Sequence, residues 1–231
     1  MLESPISMSP MDFILASGSP RRKQLLALFG IPFSVRPSDV DESLQPGEEP
    51  LGYVRRLAAQ KGAACAECGA NWVLSADTTV EVDGQILGKP ADEQEARETL
   101  MLLRNREHQV HTAFCLLNGA SGEALCGSCS TPVRMRPYEP RELEAYIESS
   151  DYRDKAGGYA IQNGEFHPAS VPNGCYANVM GLPLCHIRQL MRKAGFTVEA
   201  NIPALCQATL GITCDYYPAV ELTDNTAGGS F

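Results

Sequence analysis

Residues 17–22, SGSPRR, have the composition of an anion-binding site. They follow an apolar run at residues 12–16 and precede an amphipathic stretch at residues 21–29, so they join a predicted strand to a predicted helix. Ser19 is typical of a helix N-cap, and Pro20 suits the first helical position. The free N–H groups of such a helix start favour an anion, and the two arginine side chains match phosphate oxygens. An ordinary cap followed by two solvated arginines is the alternative interpretation.

A carboxylate follows the next predicted buried strand. Asp77 comes directly after the apolar run at residues 72–76 and precedes two threonines. Ligand clefts of α/β folds usually open at strand ends, where a carboxylate can bind Mg²⁺ or activate a water molecule. A strand-end aspartate that caps the following turn is the alternative.

The remaining charged residues are ambiguous when each is taken alone. Lys61 lies within a predicted helix and Lys89 follows a predicted hairpin, so each is typical of a surface charge. The pair Asp41-Glu42 is typical of a solvated acidic turn. Residues 154–158, DKAGG, form a flexible segment that either closes over a ligand or is simply a loop.

The elements that would position these residues alternate between strand and helix early in the chain and form antiparallel hairpins later. This pattern predicts an α/β fold in which a mixed central sheet is flanked by helices. A hairpin is predicted around Asp83-Gly84, a strong turn signal. The predicted strands lie at 12–16, 32–36, 72–76, 78–87, 110–117 and 131–135, and the predicted helices at 21–29, 51–68, 92–104, 139–149 and 182–194.

Composition excludes several classes of protein. Of 231 residues, 44% are hydrophobic and 20% charged, which excludes a disordered or collagen-like chain. A net charge of −9 argues against binding to nucleic acid polymers, although a local cluster of Arg and Lys can still bind a small anion. No apolar run approaches the roughly 18 residues of a membrane span, and residues 1–11 do not resemble a signal peptide. We therefore expect a cytoplasmic protein without membrane association.

The chain has nine cysteines, an odd number, and no export signal, which argues against a full disulfide framework. Buried reduced thiols are the simplest interpretation. Two metal sites, for zinc or an iron–sulfur cluster, are the alternatives: one formed by Cys65, Cys68, Cys126 and Cys129, the other by Cys175, Cys185, Cys206 and Cys214 beside His186. His108 and His111, on a predicted strand, are expected to share one face of it and to point to solvent, with a metal-binding pair as the alternative.

Seven motifs together closely resemble the Maf family of nucleoside triphosphate pyrophosphatases and occur in the family's order. They are LASGSPRR at 15–22, DVDE at 39–42, YVRRLAAQK at 53–61, SADT at 75–78, GKP at 88–90, DKAGGYAIQ at 154–162 and VMGLPL at 179–184. Each motif alone is weak, but the ordered set is specific. The resemblance implies a catalytic domain at residues 12–196, preceded by a flexible N-terminus at 1–11 and followed by a C-terminal extension at 197–231.

The resemblance also implies a fold, a reaction and a set of site residues. The fold is Maf/ITPase-like, with two lobes around a cleft, often in a homodimer. The reaction cleaves the α–β phosphate bond of a nucleoside triphosphate, giving a monophosphate and pyrophosphate with the help of Mg²⁺ or Mn²⁺. Asp77 and Glu42 match the catalytic acids, of which one would hold the metal and the other orient water. The matching substrate-binding residues are Ser17, Ser19, Arg21, Arg22, Lys61, Lys89 and Gln162, the last as a partner for the base.

Two features bear on the substrate. The Pro-Arg-Arg start and the segment at 154–162 resemble the branch of the family that acts on dTTP and UTP. Ala160 and Asn163, however, stand where the family usually has glycines, which affects how the base pocket closes. A pyrophosphatase for 7-methyl-GTP or other modified nucleotides, and a catalytically silent nucleotide-binding or cell-division regulatory protein, are therefore kept as alternatives.

Overall fold

Seven strands form one mixed sheet in the computed structural model, which describes residues 12–66 and 71–216. The strand order is β2-β1-β3-β5-β6-β7, with β4 paired to β3. β1 pairs in parallel with β2 and β3, and all other pairs are antiparallel. The strands are β1 Phe13–Ala16, β2 Ser34–Val35, β3 Trp72–Val82, β4 Gln85–Leu87, β5 Glu107–Asn118, β6 Ala124–Met135 and β7 Ala169–Ser170.

Helices cover both faces of this sheet. On one face α2 packs its residues Val54 and Ala58 against Ala113 and Cys115 of β5, while the larger core lies on the other face. Successive residues of β1 therefore point into different clusters and all four are buried, which explains why this strand is an uninterrupted apolar run. The helices are α1 Pro20–Ala27, α2 Pro50–Ala66, α3 Glu93–Leu103, α4 Pro140–Glu148, α5 Tyr176–Val179, α6 Leu184–Lys193 and α7 Ile202–Leu210.

The predicted mixed α/β architecture is confirmed, and the differences lie in the lengths of single elements. β3 is one strand of 11 residues that continues through Asp77 into the hairpin at Asp83-Gly84, instead of ending before the carboxylate. Beyond Asp77, four register pairs with β5 and three with β4 hold it in the sheet. β6 begins at Ala124, earlier than predicted, because it pairs with the whole of β5.

Helix α7 was not predicted, although its ends carry recognisable signals. The Asn201 side chain caps its first turn, and Gly211 ends it in the left-handed conformation with φ 64°. Ile202 and Cys206 are buried in the main core. The predicted N-terminus at 1–11 lies outside the described residues, and the boundary at residue 196 stays a prediction. No described helix has the length and apolar character needed to cross a membrane.

One disulfide joins Cys115 of β5 to Cys126 of β6, which face each other in the strand register. The expectation of reduced thiols is therefore wrong for these two residues. Sequence spacing could not show the pair, because only the β5–β6 register places the two side chains opposite one another. Cys126 is thereby removed from the first of the two predicted four-cysteine metal sites, and Cys68 lies outside the described residues.

Candidate active site

A cleft of about 640 Å³ opens between the carboxyl end of β1, the middle of β3 and the segment at residues 154–162. Every residue that the sequence predicted for the site lines this one cleft, although they come from six separate stretches of the chain. These residues are Ser17, Ser19, Arg21, Arg22, Glu42, Lys61, Asp77, Lys89 and Gln162.

The turn between β1 and α1 forms the floor of one end of the cleft. Ser19 caps α1 by accepting a hydrogen bond from the backbone N–H of Arg22 at 3.4 Å, and Pro20 occupies the first turn. The backbone N–H of Ser19 donates to the buried Ser17 hydroxyl at 3.3 Å. The predicted helix start therefore faces the cleft, where its positive dipole end favours an anion.

Arg22 is held by three uncharged oxygen atoms. Its Nε donates to the Gly181 carbonyl at 2.9 Å, Nη1 to the Ser17 hydroxyl at 3.2 Å and Nη2 to the Thr78 hydroxyl at 2.9 Å. Burial lowers the pKa of Arg22, and the nearby charge of Asp77 opposes this shift. Arg22 stays charged, since an arginine does not lose its proton in proteins. Its positive charge is thus fixed in direction and available to a phosphate.

Arg21 lies beside Arg22 in the same turn, but it interacts with the charges on the opposite side of the cleft. Burial lowers its pKa, and the carboxylates of Asp151 and Asp154 oppose that shift. Asp151 in turn accepts hydrogen bonds from Lys155 at 3.0 Å and Asn163 at 2.9 Å. Arg21 therefore faces the acidic segment that carries the second wall of the cleft.

Lys61 lies between the two predicted catalytic carboxylates. Its Nζ is 2.6 Å from Asp77 Oδ1 and 2.6 Å from Glu42 Oε1. The Lys61 and Asp77 side chains are 10% and 9% exposed, whereas Glu42 is 45% exposed at the rim. Partial burial disfavours ionised Glu42, but the hydrogen bond and charge of Lys61, aided by Lys89 and Arg22, outweigh it and lower the pKa of Glu42. One ammonium group therefore gathers both acids.

Helix α2 supplies Lys61 and also a residue that sequence reasoning missed. Tyr53 lies on the same helix face, two turns earlier, and its hydroxyl donates to the backbone carbonyl of Glu42 at 2.9 Å. Burial, followed by the charges of Asp77 and Glu42, raises the pKa of Tyr53 to about 12. The phenol therefore stays protonated at neutral pH and keeps the Glu42 loop against the cleft. Residues eight positions apart lie near the same face of a helix, so the position eight residues before Lys61 could have suggested Tyr53.

A second group of missed residues surrounds Arg22. The hydroxyls of Thr78 and Thr112 contact each other at 2.9 Å, and Thr112 donates to the Asn178 carbonyl at 3.0 Å. Thr78 lies within the SADT motif and Gly181 within the VMGLPL motif, so the sequence could have suggested both residues. Thr112 and Asn178 could be connected to them only through strand register and the packing of α5.

The mouth of the cleft is formed by Lys89 and Gln162, which are both exposed. The backbone N–H of Gly157 donates to the Gly88 carbonyl at 2.9 Å, which connects the two stretches. Gly157 has φ 69°, and a Cβ there would lie 2.9 Å from a Val80 methyl group, so only glycine allows this approach. The side chains of Lys89 and Gln162 therefore project from two segments that are hydrogen-bonded to each other through their backbones.

The two positions that depart from the family's glycines have local roles. The Ala160 backbone N–H donates to the Tyr146 hydroxyl at 2.9 Å. The Asn163 side chain accepts from the backbone N–H groups of Glu165 and Phe166 and donates to Asp151. The side chain of Asn163 therefore fixes the loop behind Gln162, where a glycine would leave it freer.

The donor set is suited to a hard divalent cation. Asp77 and Glu42 each present a carboxylate oxygen 2.6 Å from one point, which is occupied by the ammonium nitrogen of Lys61. Mg²⁺ is usually bound by one or two carboxylates together with phosphate oxygens of the substrate. The residues therefore fit the metal that the family resemblance implies.

The cysteines do not form the predicted metal centres in the described part of the chain, where no three His, Cys, Asp or Glu side chains are arranged to hold a metal. Four of them, Cys175, Cys185, Cys206 and Cys214, do meet around one small apolar crevice closed by Tyr216. A thiol contact with Cys175 lowers the pKa of Cys129. Burial of reduced thiols is thus the interpretation that fits these residues.

The two histidines of β5 differ from each other. They are three residues apart, so they lie on opposite faces of the strand, and the expectation of a shared face is wrong. His108 is buried, with Nε2 2.7 Å from the Tyr159 hydroxyl, and burial lowers its pKa to about 4. His111 is half-buried, 2.7 Å from the Ser130 hydroxyl and 3.6 Å from Glu81. The expectation of a solvent-facing residue is therefore wrong for His108.

Sequence comparison finds relatives that match most of this chain. The dTTP/UTP pyrophosphatase of Thermomicrobium roseum is 41% identical over 223 residues, which cover 94% of this chain and 99% of the relative. That of Geobacter sulfurreducens is 39% identical, over 79% of this chain and 96% of its own. Among solved structures, the Ham1 protein of Staphylococcus aureus is 15% identical with a TM-score of 0.46, over 88% of this chain and 98% of its own.

The family comparison covers the whole cleft. The profile described as Maf-like protein matches residues 12–194, which include all nine predicted site residues. The match spans the turn before α1, the strand that carries Asp77 and the segment that carries Gln162. The chain belongs to the Maf family.

Proposed function

We propose that the protein hydrolyses the α–β phosphate bond of dTTP and UTP, giving the nucleoside monophosphate and pyrophosphate. The observation that carries the proposal is the arrangement of the cleft: a helix N-terminus with two arginines lies beside a lysine that joins two carboxylates. Relatives about 40% identical over most of the chain bear the name dTTP/UTP pyrophosphatase, which supports this substrate class.

The cationic residues bind and orient the triphosphate. Arg22 and the N–H groups at the start of α1 bind one part of the phosphate chain by donating hydrogen bonds to its oxygens. Arg21 and Lys89 lie at the sides of the cleft. Charge on the phosphate oxygens persists through the transition state, so catalysis of this class depends mainly on positioning and electrostatic stabilisation. The three acceptors of Arg22 are neutral, and its full charge is therefore available for this purpose.

Asp77 is the proposed general base. It is largely buried at the bottom of the cleft, and its contact with Lys61 fixes the carboxylate in one orientation. An ionised carboxylate can accept a proton from the water that attacks phosphorus, and pyrophosphate then leaves with the bonding electrons of the cleaved anhydride. Glu42, at the rim, orients the same water or the substrate through its own contact with Lys61.

Asp77 and Glu42 would also hold Mg²⁺ or Mn²⁺, which when bound would neutralise phosphate charge and polarise the phosphorus–oxygen bonds. Gln162 at the mouth is the proposed partner for the base, since its amide both donates and accepts hydrogen bonds. We also propose a homodimer, as the family resemblance implies, and a cytoplasmic location, as the sequence composition predicts.

The direct experiment measures release of pyrophosphate from dTTP, UTP, CTP, GTP and methylated analogues with Mg²⁺ or Mn²⁺. We expect dTTP and UTP to be cleaved fastest by the parent protein. Faster cleavage of a methylated nucleotide would identify a modified nucleotide as the substrate instead. Binding of nucleotides without turnover would favour the catalytically silent, nucleotide-binding alternative.

Substitution of Asp77 by Asn tests the assigned base. We expect Asp77→Asn to keep its fold but to lower turnover of dTTP by about 100-fold or more, the usual scale for loss of a general base. Asp92→Asn is the matched control, because Asp92 caps α3 through its side chain and asparagine caps equally well. Parental turnover in Asp77→Asn would refute the assignment.

A further inference from the structure

A row of hydrogen bonds leads from Arg22 into the sheet. Arg22 Nη2 donates to the Thr78 hydroxyl, the Thr78 and Thr112 hydroxyls are 2.9 Å apart, and Thr112 donates to the backbone carbonyl of Asn178. Thr78 and Thr112 are direct partners in the register of β3 and β5. The row therefore crosses two strands and ends at α5.

The direction of every bond in this row is fixed. A hydroxyl group carries a single hydrogen. Since Thr112 donates its hydrogen to the Asn178 carbonyl, Thr78 must donate to Thr112 in the contact between them. The Thr78 oxygen is then left as an acceptor towards Arg22. All dipoles of the row thus point their negative ends at the guanidinium group, which stabilises its charge.

Asn178 fixes the far end of the row and a second acceptor of Arg22 as well. The backbone carbonyl of Asn178 also accepts from the N–H of Gly181 at 2.8 Å, and the Gly181 carbonyl accepts from Arg22 Nε. Two of the three oxygens around the guanidinium group therefore depend on the position of Asn178.

The Asn178 side chain is fully buried and anchors this turn to the sheet. Its amide nitrogen donates to the Val110 carbonyl at 2.9 Å and to the Thr131 hydroxyl at 3.0 Å. Val110 and Thr131 are partners in the register of β5 and β6, so both acceptors lie at one point of the sheet. The amide thereby connects α5 to two strands at once.

We infer that Thr112 and Asn178 are positioning residues that hold Arg22 in place for phosphate, an inference that rests on the proposed function. Neither residue is among those that line the cleft, so their effect must pass through Thr78, Gly181 and Arg22. Loss of one link leaves Thr78 free to turn its hydrogen towards the guanidinium group, which would repel the charge and shift the side chain. A misplacement on the order of 1 Å can lower catalysis by about 100-fold.

The test compares Thr112→Val, which removes the hydroxyl with little change in shape, with Thr112→Ser, which keeps it. Binding of inorganic pyrophosphate is measured by calorimetry, and kcat and KM are measured with dTTP. We expect Thr112→Val to weaken pyrophosphate binding and to lower kcat/KM by about 10- to 100-fold. Thr112→Ser should remain within a few-fold of the parent. Thr78→Val, which breaks the row one step nearer to Arg22, should reproduce the loss and replaces Thr112→Val if that variant does not fold.

Ser75→Ala is the matched control, because it also removes a buried hydroxyl that donates to a backbone carbonyl, that of Ala58, in the same sheet. Its pyrophosphate binding should match that of the parent. Parental binding in Thr112→Val and Thr78→Val, or an equal loss in Ser75→Ala, would overturn the inference. A parent that binds pyrophosphate but does not cleave nucleotides would overturn only the proposed function, whereas a parent that binds no pyrophosphate would overturn both.

Discussion

Gly181 illustrates how closely single residues are fitted around Arg22. Its φ is 101°, and a Cβ at this position would lie 3.2 Å from both Arg22 Nε and Thr78 Oγ1. Any other residue would therefore be strained in its backbone and would press on the two groups that orient the guanidinium.

A comparison of two glycines separates these effects. Gly181→Ala should destabilise the fold by about 1–3 kcal/mol and lower kcat/KM by about 10-fold or more through displacement of Arg22. Gly195→Ala provides the control, because Gly195 has a similar φ of 87° but no atom of the described part of the chain lies within 4 Å of its added Cβ. It should lose stability alone. Chemical denaturation and dTTP kinetics of both variants check this, and full activity in Gly181→Ala would contradict it.

At the scale of residues, sequence could identify the groups that carry charge but not those that hold them. Asp77, Lys61 and the arginines were visible because their types and motifs suggest chemistry. Thr112 and His108 carry no such signal: a threonine on a strand is ordinary, and burial of a histidine depends on which face of β5 is covered. Such positions become recognisable only when the register of β3, β5 and β6 is known.

Among the elements, the β5–β6 hairpin is the longest pairing in the described sheet and carries the Cys115–Cys126 disulfide. The two cysteines are 11 residues apart. A loop of this size reduces the conformational entropy of the unfolded chain only moderately, and the chain-entropy model gives about 3 kcal/mol of stabilisation. The stabilisation is smaller if the two strands stay partly paired in the reduced, unfolded chain.

Reduction of this bond should therefore lower the melting temperature without removing activity, since the bond lies outside the cleft. We expect a decrease of several degrees for the parent in the presence of a thiol reductant, measured by differential scanning calorimetry. Cys126→Ser should melt at the lower temperature with or without reductant. A parent whose melting temperature ignores the reductant would show that the bond contributes nothing.

Element boundaries were predictable where polarity or turn residues mark them, as at Asp83-Gly84 and at the start of α1. They were missed where long-range pairing overrides local composition. β3 passes through Asp77, a polar residue that suggested a strand end, because β5 supplies a partner from Trp72 to Glu81. Helix α7 had a cap and a terminal glycine, but a weak hydrophobic pattern hid it.

For the molecule as a whole, two buried histidines connect folding to pH. Burial lowers the pKa of both His108 and His186 to about 4, against 6.5 for an exposed imidazole. The unfolded chain therefore binds more protons between these pH values, and the stability conferred by the neutral rings is lost as pH falls from about 6.5 to about 4.

Substitution of one histidine should weaken this dependence. Each group contributes at most about 1.4 kcal/mol per pH unit to the decline in unfolding free energy. His186→Phe should flatten the decline by up to that slope, because the His186 ring lies near Phe114 and its Nδ1 has no hydrogen-bond partner among the described residues. Urea titrations at intervals from pH 7 to pH 4 provide the measurement, and an unchanged slope in His186→Phe would contradict the assignment.

The ammonium group of Lys61 has a consequence for the protein at rest. Because its single positive charge lies 2.6 Å from both Asp77 and Glu42, it partly compensates two adjacent anions that would otherwise push the loop after β2 away from α2. Under the proposed metal dependence, chelating agents should therefore stop turnover while the melting curve stays where it was, unlike proteins whose folding depends on a bound ion. A low level of divalent cations would then stop the proposed reaction without unfolding the protein.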